Sequence, residues 1–454
     1  MSNIDYSDYE FDFNNFKFFR EQFDVLTKES MNSLEECINV LRKLVLFQSE
    51  LTEVSKCASI EYALNQSRDN KDHLQLVFNL FSRIAVFREK LFETFLFNYN
   101  LQDSIKASPK EMNNLIRRIY RVKKHYVSFS NDEYYQTLKR TNDILLEISS
   151  GNDSLDQLKV YSKEYIELKN KSAVMEKYNN YIDRILFIDD VSSEVFTTLL
   201  KVKNDGKEFI NTPKNIKLKD SILLITDTLS TYFDESYVNI FNELLNGNSI
   251  NFDTNSDVYN SSTHAAYSLT PKLMINFDGS IDSLESFIYE VGHAVSLKLQ
   301  NVNPIFDYDY NIMVGNVFGF VNQFALNDLL KAENSRLYEY SKAYLSNTLG
   351  FVKNTLNGLK MVFDLYTAKV KKIDDSKYPL VFDDFSEYRD CLGFVLGAYV
   401  FKKIKTGELS KKDYIKLLSL GGNFTIRECF NKVDIELNKT VVTEGLKYIE
   451  ELIK

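Results

Sequence analysis

Histidine and cysteine are scarce in this chain of 454 residues, which holds four of each. The cysteines are far apart and form no CxxC pair of the kind that binds a metal ion. We therefore expect four reduced thiols and a cytoplasmic location, because disulfides persist in oxidising compartments. Four histidines also leave few imidazoles from which a metal site with several histidine ligands could be built. They are His73, His125, His264 and His293.

Long basic runs and long apolar runs are also missing. The formal net charge is -9 and the isoelectric point is near 5.3, so we predict no nucleic-acid partner. The basic cluster from Arg117 to Lys124 is interpreted as a solvated helix face. The longest apolar run, Leu392 to Phe401, is well short of the roughly 18 residues that a spanning helix needs. The N-terminus is acidic and unlike a signal peptide, and we predict no membrane partner.

Glycine and proline nearly disappear from residues 16 to 204, where only Gly151 and Pro109 occur. Strands need frequent turns, whereas apolar residues here recur at spacings of three and four, which is typical of long antiparallel helices. We therefore predict an N-terminal helical region at 1–205. Residues 202–219 are polar and contain Gly206 and Pro213, so they mark the best boundary before a second region at 219–454.

In the second region the patterns predict many helices and one short strand. Residues 219–247 predict two amphipathic helices, and residues 248–263, rich in Asn, Ser, Thr and Asp, predict a loop. Lys272–Phe277 is a short apolar run followed by an Asp-Gly turn signal, which predicts a strand. The fold class is therefore mainly α with a small β element. Further helices are predicted at 312–333, 338–371, 386–405, 410–420 and 440–453.

The helix predicted at 282–299 carries the most informative pattern. Asp282 with Glu285 is similar to a capping box, and an apolar stripe follows on one face. Tyr289, Glu290 and His293 gather on the other face. A zinc-peptidase helix uses His-Glu-x-x-His, because two imidazoles at i and i+4 reach one ion while the glutamate handles the proton of the bound water. Here the glutamate and the second histidine are present, but the first histidine is a tyrosine.

Several sequence blocks in the same order resemble oligoendopeptidase F and its thimet-oligopeptidase relatives. The resemblance covers roughly residues 219–454, whereas the N-terminal half agrees only in being helical. It implies a two-lobed helical peptidase fold in which a small β-sheet lies beside a deep central channel. The matching blocks are Tyr267–His293 with its Asn-x-x-Gly turn, Asn316–Gln323, Pro379–Gly393, Tyr414–Gly422 and Glu444–Glu451.

The resemblance aligns certain positions of this chain with the family's zinc-binding and catalytic residues. At nearly all of these positions this chain has a different residue. One imidazole remains where a catalytic zinc ion needs about three protein donors, so we expect no zinc and no other cofactor. We expect no catalytic residue, and Glu290 and His293 are interpreted as vestigial. The altered positions are Tyr289 and Asn316 for zinc ligands, Gln323 for a supporting glutamate, and Leu380 and Phe382 for the groups that stabilise the intermediate; Glu290, Gly292, His293 and Tyr388 are kept.

The replacements are chemically coherent. Removing a divalent cation while keeping its carboxylates would leave buried like charges, and Asn316 and Gln323 are neutral near-isosteres that avoid this. Tyr289 can fill the space of the lost imidazole and hydrogen-bond to an amide. The resemblance thus predicts a compact, metal-free polar network at the former zinc centre.

Three functions stay open at this point. The first is a pseudopeptidase that binds a peptide or a protein segment in its channel through Tyr267, Tyr388 and the edge of the Leu273–Phe277 strand. The second is an active metallo-oligoendopeptidase with a rearranged zinc site in which His264 joins His293 and Glu290. The third is a helical interaction scaffold whose channel is filled by its many aromatic side chains.

Overall fold

The computed structural model describes most of the chain and shows a mainly α protein with one small sheet, which confirms the predicted fold class. Within the described residues no helix combines the length and the hydropathy that crossing a bilayer requires. The described ranges are 12–64, 67–128, 130–149, 154–202, 215–253, 261–267, 270–300, 305–307, 312–420 and 424–454.

The helices predicted at 219–247 and after residue 312 agree closely with helices of the structure, whereas the helix Ile426–Asn431 was not predicted. Their bounds are α1 (Phe13–Leu26), α2 (Leu34–Leu64), α3 (Arg68–Asn98), α4 (Leu101–Ala107), α5 (Asn113–Arg121), α6 (Asp132–Ser149), α7 (Leu155–Met175), α8 (Tyr181–Asp189), α9 (Ser193–Leu199), α10 (Leu218–Tyr232), α11 (Glu235–Asn246), α12 (Ile281–Gln300), α13 (Ile312–Ala332), α14 (Tyr338–Tyr366), α15 (Glu387–Thr406), α16 (Lys411–Leu418), α17 (Ile426–Asn431) and α18 (Lys439–Leu452).

The chain divides into two compact units, each built from three segments. The first unit is Met1–Lys123, Thr212–Asn311 and Ser410–Asn423, and the second is Lys124–Asn211, Ile312–Leu409 and Phe424–Lys454. Each unit takes segments from both sides of the boundary predicted at 205–219. Residues 203–214 lie outside the described ranges, and the division into regions 1–205 and 219–454 stays a prediction.

The sheet of the first unit has three strands, β1 (Ile250–Asp253), β2 (Ser262–His264) and β3 (Lys272–Asn276), in the order β1-β3-β2. The strand predicted at Lys272–Phe277 is therefore confirmed, but its predicted role as an edge is wrong, because β3 pairs with β1 on one side and β2 on the other. The loop predicted at 248–263 is also partly wrong. Both outer strands begin or end in this polar segment, where pairing with the apolar β3 stabilises them rather than their own propensity.

Strand pairing fixes which side chains of the sheet face α12. Thr263 of β2 lies opposite Leu273, and Phe252 of β1 lies opposite Ile275. The Phe252 ring meets the Phe287 ring of α12 edge-on, with centroids 5.1 Å apart. Because side chains alternate along a strand, the neighbours of Thr263 in β2 point to the other face of the sheet.

Helix α12 buries the predicted apolar stripe completely, with Leu284, Phe287, Ile288, Val291 and Val295 all fully covered. The predicted start at Asp282 is wrong. The helix begins one residue earlier and is capped from outside the helix, as the contacts show: the backbone N–H of Ser283 donates to Ser280 Oγ over 3.1 Å, and Ser280 Oγ donates to Asp278. A short polar side chain just before the first turn satisfies its N–H groups, and Ser280 rather than Asp282 holds that position.

Glycines bring three helices of the second unit into close contact. A methyl carbon at Gly393 or Gly397 of α15 would come within 2.7 Å of Asn316 Cβ or Phe320 Cβ of α13. A methyl carbon at Gly445 of α18 would overlap the carbonyl oxygen of Val395. The close packing of α13, α15 and α18 therefore depends on the absence of side chains at these glycines.

Candidate functional site

Glu290 lies on the face of α12 that meets the sheet, and it is only 9% exposed. Its Oε2 accepts a hydrogen bond from Thr263 Oγ1 over 2.7 Å, and Thr263 Oγ1 is also 3.2 Å from the Glu290 backbone oxygen. Burial raises the pKa of the Glu290 carboxyl to about 7, and the Thr263 bond opposes this rise. The carboxyl is thus tied to a neighbouring strand and is close to half protonated at neutral pH.

His293 lies one turn further along α12 and is buried. Burial lowers the pKa of this imidazole to about 4, so the ring is neutral at pH 7. The half-buried Tyr289 meets it edge-on, with ring centroids 4.8 Å apart. The phenol therefore takes the place that the first imidazole of a zinc-peptidase helix would have.

These donors do not fit a catalytic zinc ion. Such an ion takes three protein ligands, mostly imidazole and carboxylate, and α12 offers one neutral imidazole and one carboxyl that already accepts a hydrogen bond from Thr263. A phenol is a poor substitute for an imidazole as a zinc ligand, because phenols in water keep their proton at neutral pH. In the described parts of the chain no three His, Cys, Asp or Glu side chains gather closely enough to hold a metal ion.

His264 lies on the other face of β2. Its Nε2 is 3.1 Å from Ser262 Oγ, which is two residues away on the same face, while Thr263 between them contacts Glu290. Burial, with a smaller contribution from Lys56, lowers the pKa of His264 to about 4. The alternation of β2 thus separates the two imidazoles, and His264 does not join Glu290 in this structure. Tyr267 follows β2 and is half-buried.

Asn316 and Gln323 lie on α13 in the second unit, and both amides are buried. Asn316 Nδ2 donates to Asp390 Oδ1 over 2.6 Å. Gln323 Nε2 donates to the Tyr344 hydroxyl over 3.2 Å. Each amide thus has a partner on a neighbouring helix of its own unit, and the predicted network that joins them to Tyr289 stays a prediction.

Leu380 and Phe382 belong to a 3₁₀ stretch, Asp375–Phe382, of the second unit, and both are half-buried. Leu380 covers Gly358 of α14, where an added methyl carbon would meet Leu380 Cδ1 at 2.7 Å. The Phe382 ring meets the Tyr165 ring edge-on at 5.1 Å. Neither side chain carries a donor for a developing oxyanion, in keeping with their hydrocarbon chemistry.

Tyr388 is fully buried, and its hydroxyl contacts the Asp189 carboxylate. Arg389 Nε donates to the same carboxylate oxygen over 2.9 Å. Burial, together with the negative charge of Asp189, raises the pKa of the Tyr388 phenol. Contact between this ring and a peptide would require the interior of the second unit to open, so the predicted binding role of Tyr388 stays a prediction.

The structure thus distributes the predicted residues between two units. The first unit brings together Tyr289, Glu290 and His293, and the second holds the amides, the two apolar residues and Tyr388. Sequence reasoning missed Thr263, the hydrogen-bond partner of Glu290. No signal in the sequence could have identified it, because its role depends on the pairing of a three-residue polar strand.

Comparison with known proteins supports the fold and leaves the activity open. No family model matches the chain, and no curated protein matches it in sequence. A structure from Chlamydophila abortus assigned as a peptidase superposes with a TM-score of 0.76 at 13% identity, covering 99% of this chain and 97% of that one. A protein from Bacillus anthracis assigned as an oligoendopeptidase F gives 0.70 at 14%, covering 100% and 98%. Oligoendopeptidase-F from Enterococcus faecium gives 0.60 at 14%, covering 97% and 99%.

Proposed function

We propose that this protein is a catalytically inactive relative of the zinc oligopeptidases that binds a peptide or an unfolded protein segment without cutting it. The observation that carries the proposal is the chemistry at α12. One imidazole, one phenol and a carboxyl bound to Thr263 stand where a zinc peptidase has two imidazoles and a free base.

Without three suitable zinc ligands, hydrolysis by a zinc-bound water has no support on α12. A catalytic zinc ion lowers the pKa of its bound water from about 15.7 to about 7, and no group on α12 replaces that effect. Glu290 could accept a proton, but one of its carboxyl oxygens already accepts a hydrogen bond from Thr263. We therefore assign no catalytic role to Glu290 or His293.

The outer side of β2 supports the binding half of the proposal. In the part of the chain that the structure describes, β2 pairs with β3 alone, and its three residues are half-buried. An extended peptide can add to such an edge through main-chain hydrogen bonds, which depend little on its sequence. A segment paired there would run past Thr263, directly beside the strand that contacts Glu290. The strand that would accept the peptide is thus β2, one of the two outer strands among the described residues, rather than the central β3.

The metal content of the purified protein tests the proposal that the protein is catalytically inactive. We expect protein purified without chelator to carry well under about 0.1 zinc ion per chain, because one good ligand cannot supply the roughly 10 kcal/mol of a protein zinc site. Tyr289→His should raise the zinc content, since it creates two imidazoles one turn apart, whereas Tyr289→Phe should not. Stoichiometric zinc in the unmodified protein, lost together with peptide cleavage in His293→Ala, would refute the inactive assignment.

Titration with peptides tests the proposal that the protein binds an extended segment. We expect unstructured peptides of unrelated sequence to bind in calorimetry and to stay intact in a fluorogenic cleavage assay. The same peptides methylated at alternate backbone nitrogens should bind at least about tenfold more weakly, because strand addition needs the N–H donors. Absence of heat and of any thermal shift with all peptides would count against binding.

A further inference from the structure

The face of the sheet that is turned away from α12 carries two polar side chains of β2. Thr263 points to α12 and side chains alternate along a strand, so Ser262 and His264 share the opposite face. His264 Nε2 lies 3.1 Å from Ser262 Oγ, and this contact holds the ring beside the serine. Both residues are half-buried, and in the part of the chain that the structure describes β2 has a neighbouring strand on one side alone. The two side chains therefore lie where a peptide added to β2 would pass.

Lys56 of α2 supplies a positive charge near the His264 ring. Burial, together with the charge of Lys56, lowers the pKa of His264 to about 4, so the imidazole is neutral at pH 7. Lys56 itself is half-buried, and burial alone lowers the pKa of its ammonium. None of the ion pairs within the described ranges includes Lys56, whereas Lys43 of the same helix pairs with Glu29 over 2.7 Å. An acceptor from outside the chain would offset the cost of burying this ammonium.

Other charged residues lie close to this face in the strand pairing or in the sequence. Lys272 of β3 is directly opposite His264, is 6% exposed and has an interaction of its own, so we assign it no role in binding. On α2 the carboxylates nearest in sequence to Lys56 are Glu53 and Glu61, and neither contributes to the pKa of its ammonium. Among the described residues, the Lys56 ammonium is thus the charge at this face that a ligand can neutralise.

An extended peptide on the outer side of β2 would place its side chains by the same alternation. The peptide residue opposite His264 points to the face of His264 and Lys56, with its Cβ about 4.5–5.5 Å from the His264 Cβ. Its neighbours along the peptide point to the α12 face, beside Thr263 and the partly charged Glu290. A carboxylate opposite His264 gains the Lys56 ammonium as a partner, whereas a carboxylate on the α12 face would meet a like charge.

Charge complementarity then defines the class of partner. A lysine or arginine opposite His264 would be repelled by Lys56, and a neutral side chain would leave the half-buried ammonium without an acceptor. Building on the peptide binding proposed above, we propose that the segment bound by β2 carries a glutamate or aspartate opposite His264, and that Lys56 selects it. Main-chain pairing supplies the affinity common to all segments, and the acidic side chain supplies the preference.

Calorimetric titration of the full chain with matched peptides tests this preference. The peptides consist of serine and threonine around one central Glu, Gln or Lys, and both ends are capped so that the central side chain is the only difference. We expect the Glu peptide to bind at least about tenfold more tightly than the Gln peptide, and the Lys peptide to bind most weakly. Equal affinity of the Glu and Gln peptides would overturn the preference and leave the proposed peptide binding intact, whereas no binding of any peptide would refute both. A Gln peptide with a free C-terminal carboxylate that matches the Glu peptide would also overturn selection of a side chain.

Variants of α2 test the location. Lys56→Met should abolish the difference between the Glu and Gln peptides while leaving the affinity for the Gln peptide unchanged, because main-chain pairing does not use the ammonium. Methionine suits this half-buried position, since it removes a charge that burial disfavours. Lys56→Arg should keep the preference. Lys43→Met makes the same change about 20 Å away along α2 and should also keep it. A preference that persists in Lys56→Met, or that is lost equally in Lys43→Met, would overturn the assignment to Lys56.

Discussion

At the scale of single residues, the environment of Glu290 determines the pH at which its carboxyl loses its proton. A carboxyl with a pKa near 7 differs from an ordinary glutamate, whose pKa is 4.5, because burial disfavours its charge. The folded state therefore keeps the Glu290 proton in a pH range where the unfolded chain releases it. Stability consequently falls as pH rises from about 4.5 to about 7, and the full cost is present above pH 7.

Glu290→Gln should therefore gain stability relative to the unmodified protein as pH rises. Glutamine cannot ionise, so the variant avoids the cost of keeping a carboxyl protonated or of burying its charge. We expect the difference in free energy of unfolding to change in favour of the variant by about 2–3 kcal/mol between pH 5 and pH 8. Urea unfolding of both proteins at several pH values measures this difference in free energy. A difference that is independent of pH would show that the Glu290 pKa is not raised.

Thr263→Val should raise the pKa of Glu290 further. The hydroxyl that donates to Oε2 stabilises the charged carboxylate, and valine keeps the shape of threonine but has no donor. Titration of the side-chain carboxyl carbon by NMR should give a midpoint above 7 in this variant. Thr263→Ser, which keeps the hydroxyl, should titrate like the unmodified protein, and a midpoint unaffected by valine would refute the assigned bond.

The sequence could predict only part of this centre. Tyr289, Glu290 and His293 follow from helical spacing, since residues three and four apart share a face. Thr263 could not be predicted, because it reaches Glu290 from a strand 27 residues earlier in the chain. Its contact depends on the pairing of β2 with β3, and short polar strands carry little pairing information of their own.

At the scale of secondary structure, glycines decide how closely the helices of the second unit approach one another. Gly445 lies so close to the Val395 carbonyl that any side chain at position 445 would push the backbones of α15 and α18 apart. Gly350 faces open space. Both are glycines within helices and differ only in surroundings. The intrinsic cost of glycine in a helix is therefore offset by packing at one position and not at the other.

Gly445→Ala should destabilise the protein by about 1–3 kcal/mol or more, because the methyl carbon meets a backbone atom that cannot move independently. Gly350→Ala should stabilise it by about 0.5–1 kcal/mol through better helix propensity. Shifts of the urea midpoint in opposite directions would establish both effects. Equal shifts would mean that helix propensity alone governs the two sites.

Helices were more predictable than strands for a physical reason. An amphipathic helix such as α10 or α11 carries its pattern within its own sequence. The strands β1 and β2 are short and polar and are stable only when paired with β3, so the composition of residues 248–263 indicated a loop. The cap of α12 was misplaced by two residues for a similar reason, since Ser280 and Asp282 both match the sequence signature of a cap.

At the scale of the whole molecule, contacts between distant segments build the second unit. Asp189 at the end of α8 contacts Tyr388 and Arg389, about 200 residues later in the chain. Asp384 accepts hydrogen bonds from Tyr165 and Lys169 of α7, over 2.9 and 2.8 Å. Composition along the chain cannot reveal such a division, because it records neighbours in sequence and not in space.

A fragment of residues 219–454 should therefore fail to fold cooperatively on its own. It lacks α7 and α8 and leaves Arg389, Asp384 and the buried Tyr388 without the partners that satisfy them. Far-ultraviolet circular dichroism should show a broad transition, in contrast to a sharp one for the full chain. A sharp, cooperative transition for the fragment would support the boundary predicted at 205–219 as a true domain limit.

The alternation of side chains in β2 has an evolutionary consequence. The hydroxyl that meets Glu290 and the imidazole that turns away from it are adjacent in the chain, at positions 263 and 264. A slippage of this short strand by one position against its neighbour would exchange them, bringing an imidazole next to the carboxyl and within the neighbourhood of His293. A single inserted or deleted codon near this strand would thus change which of the two side chains faces the Glu290 carboxyl.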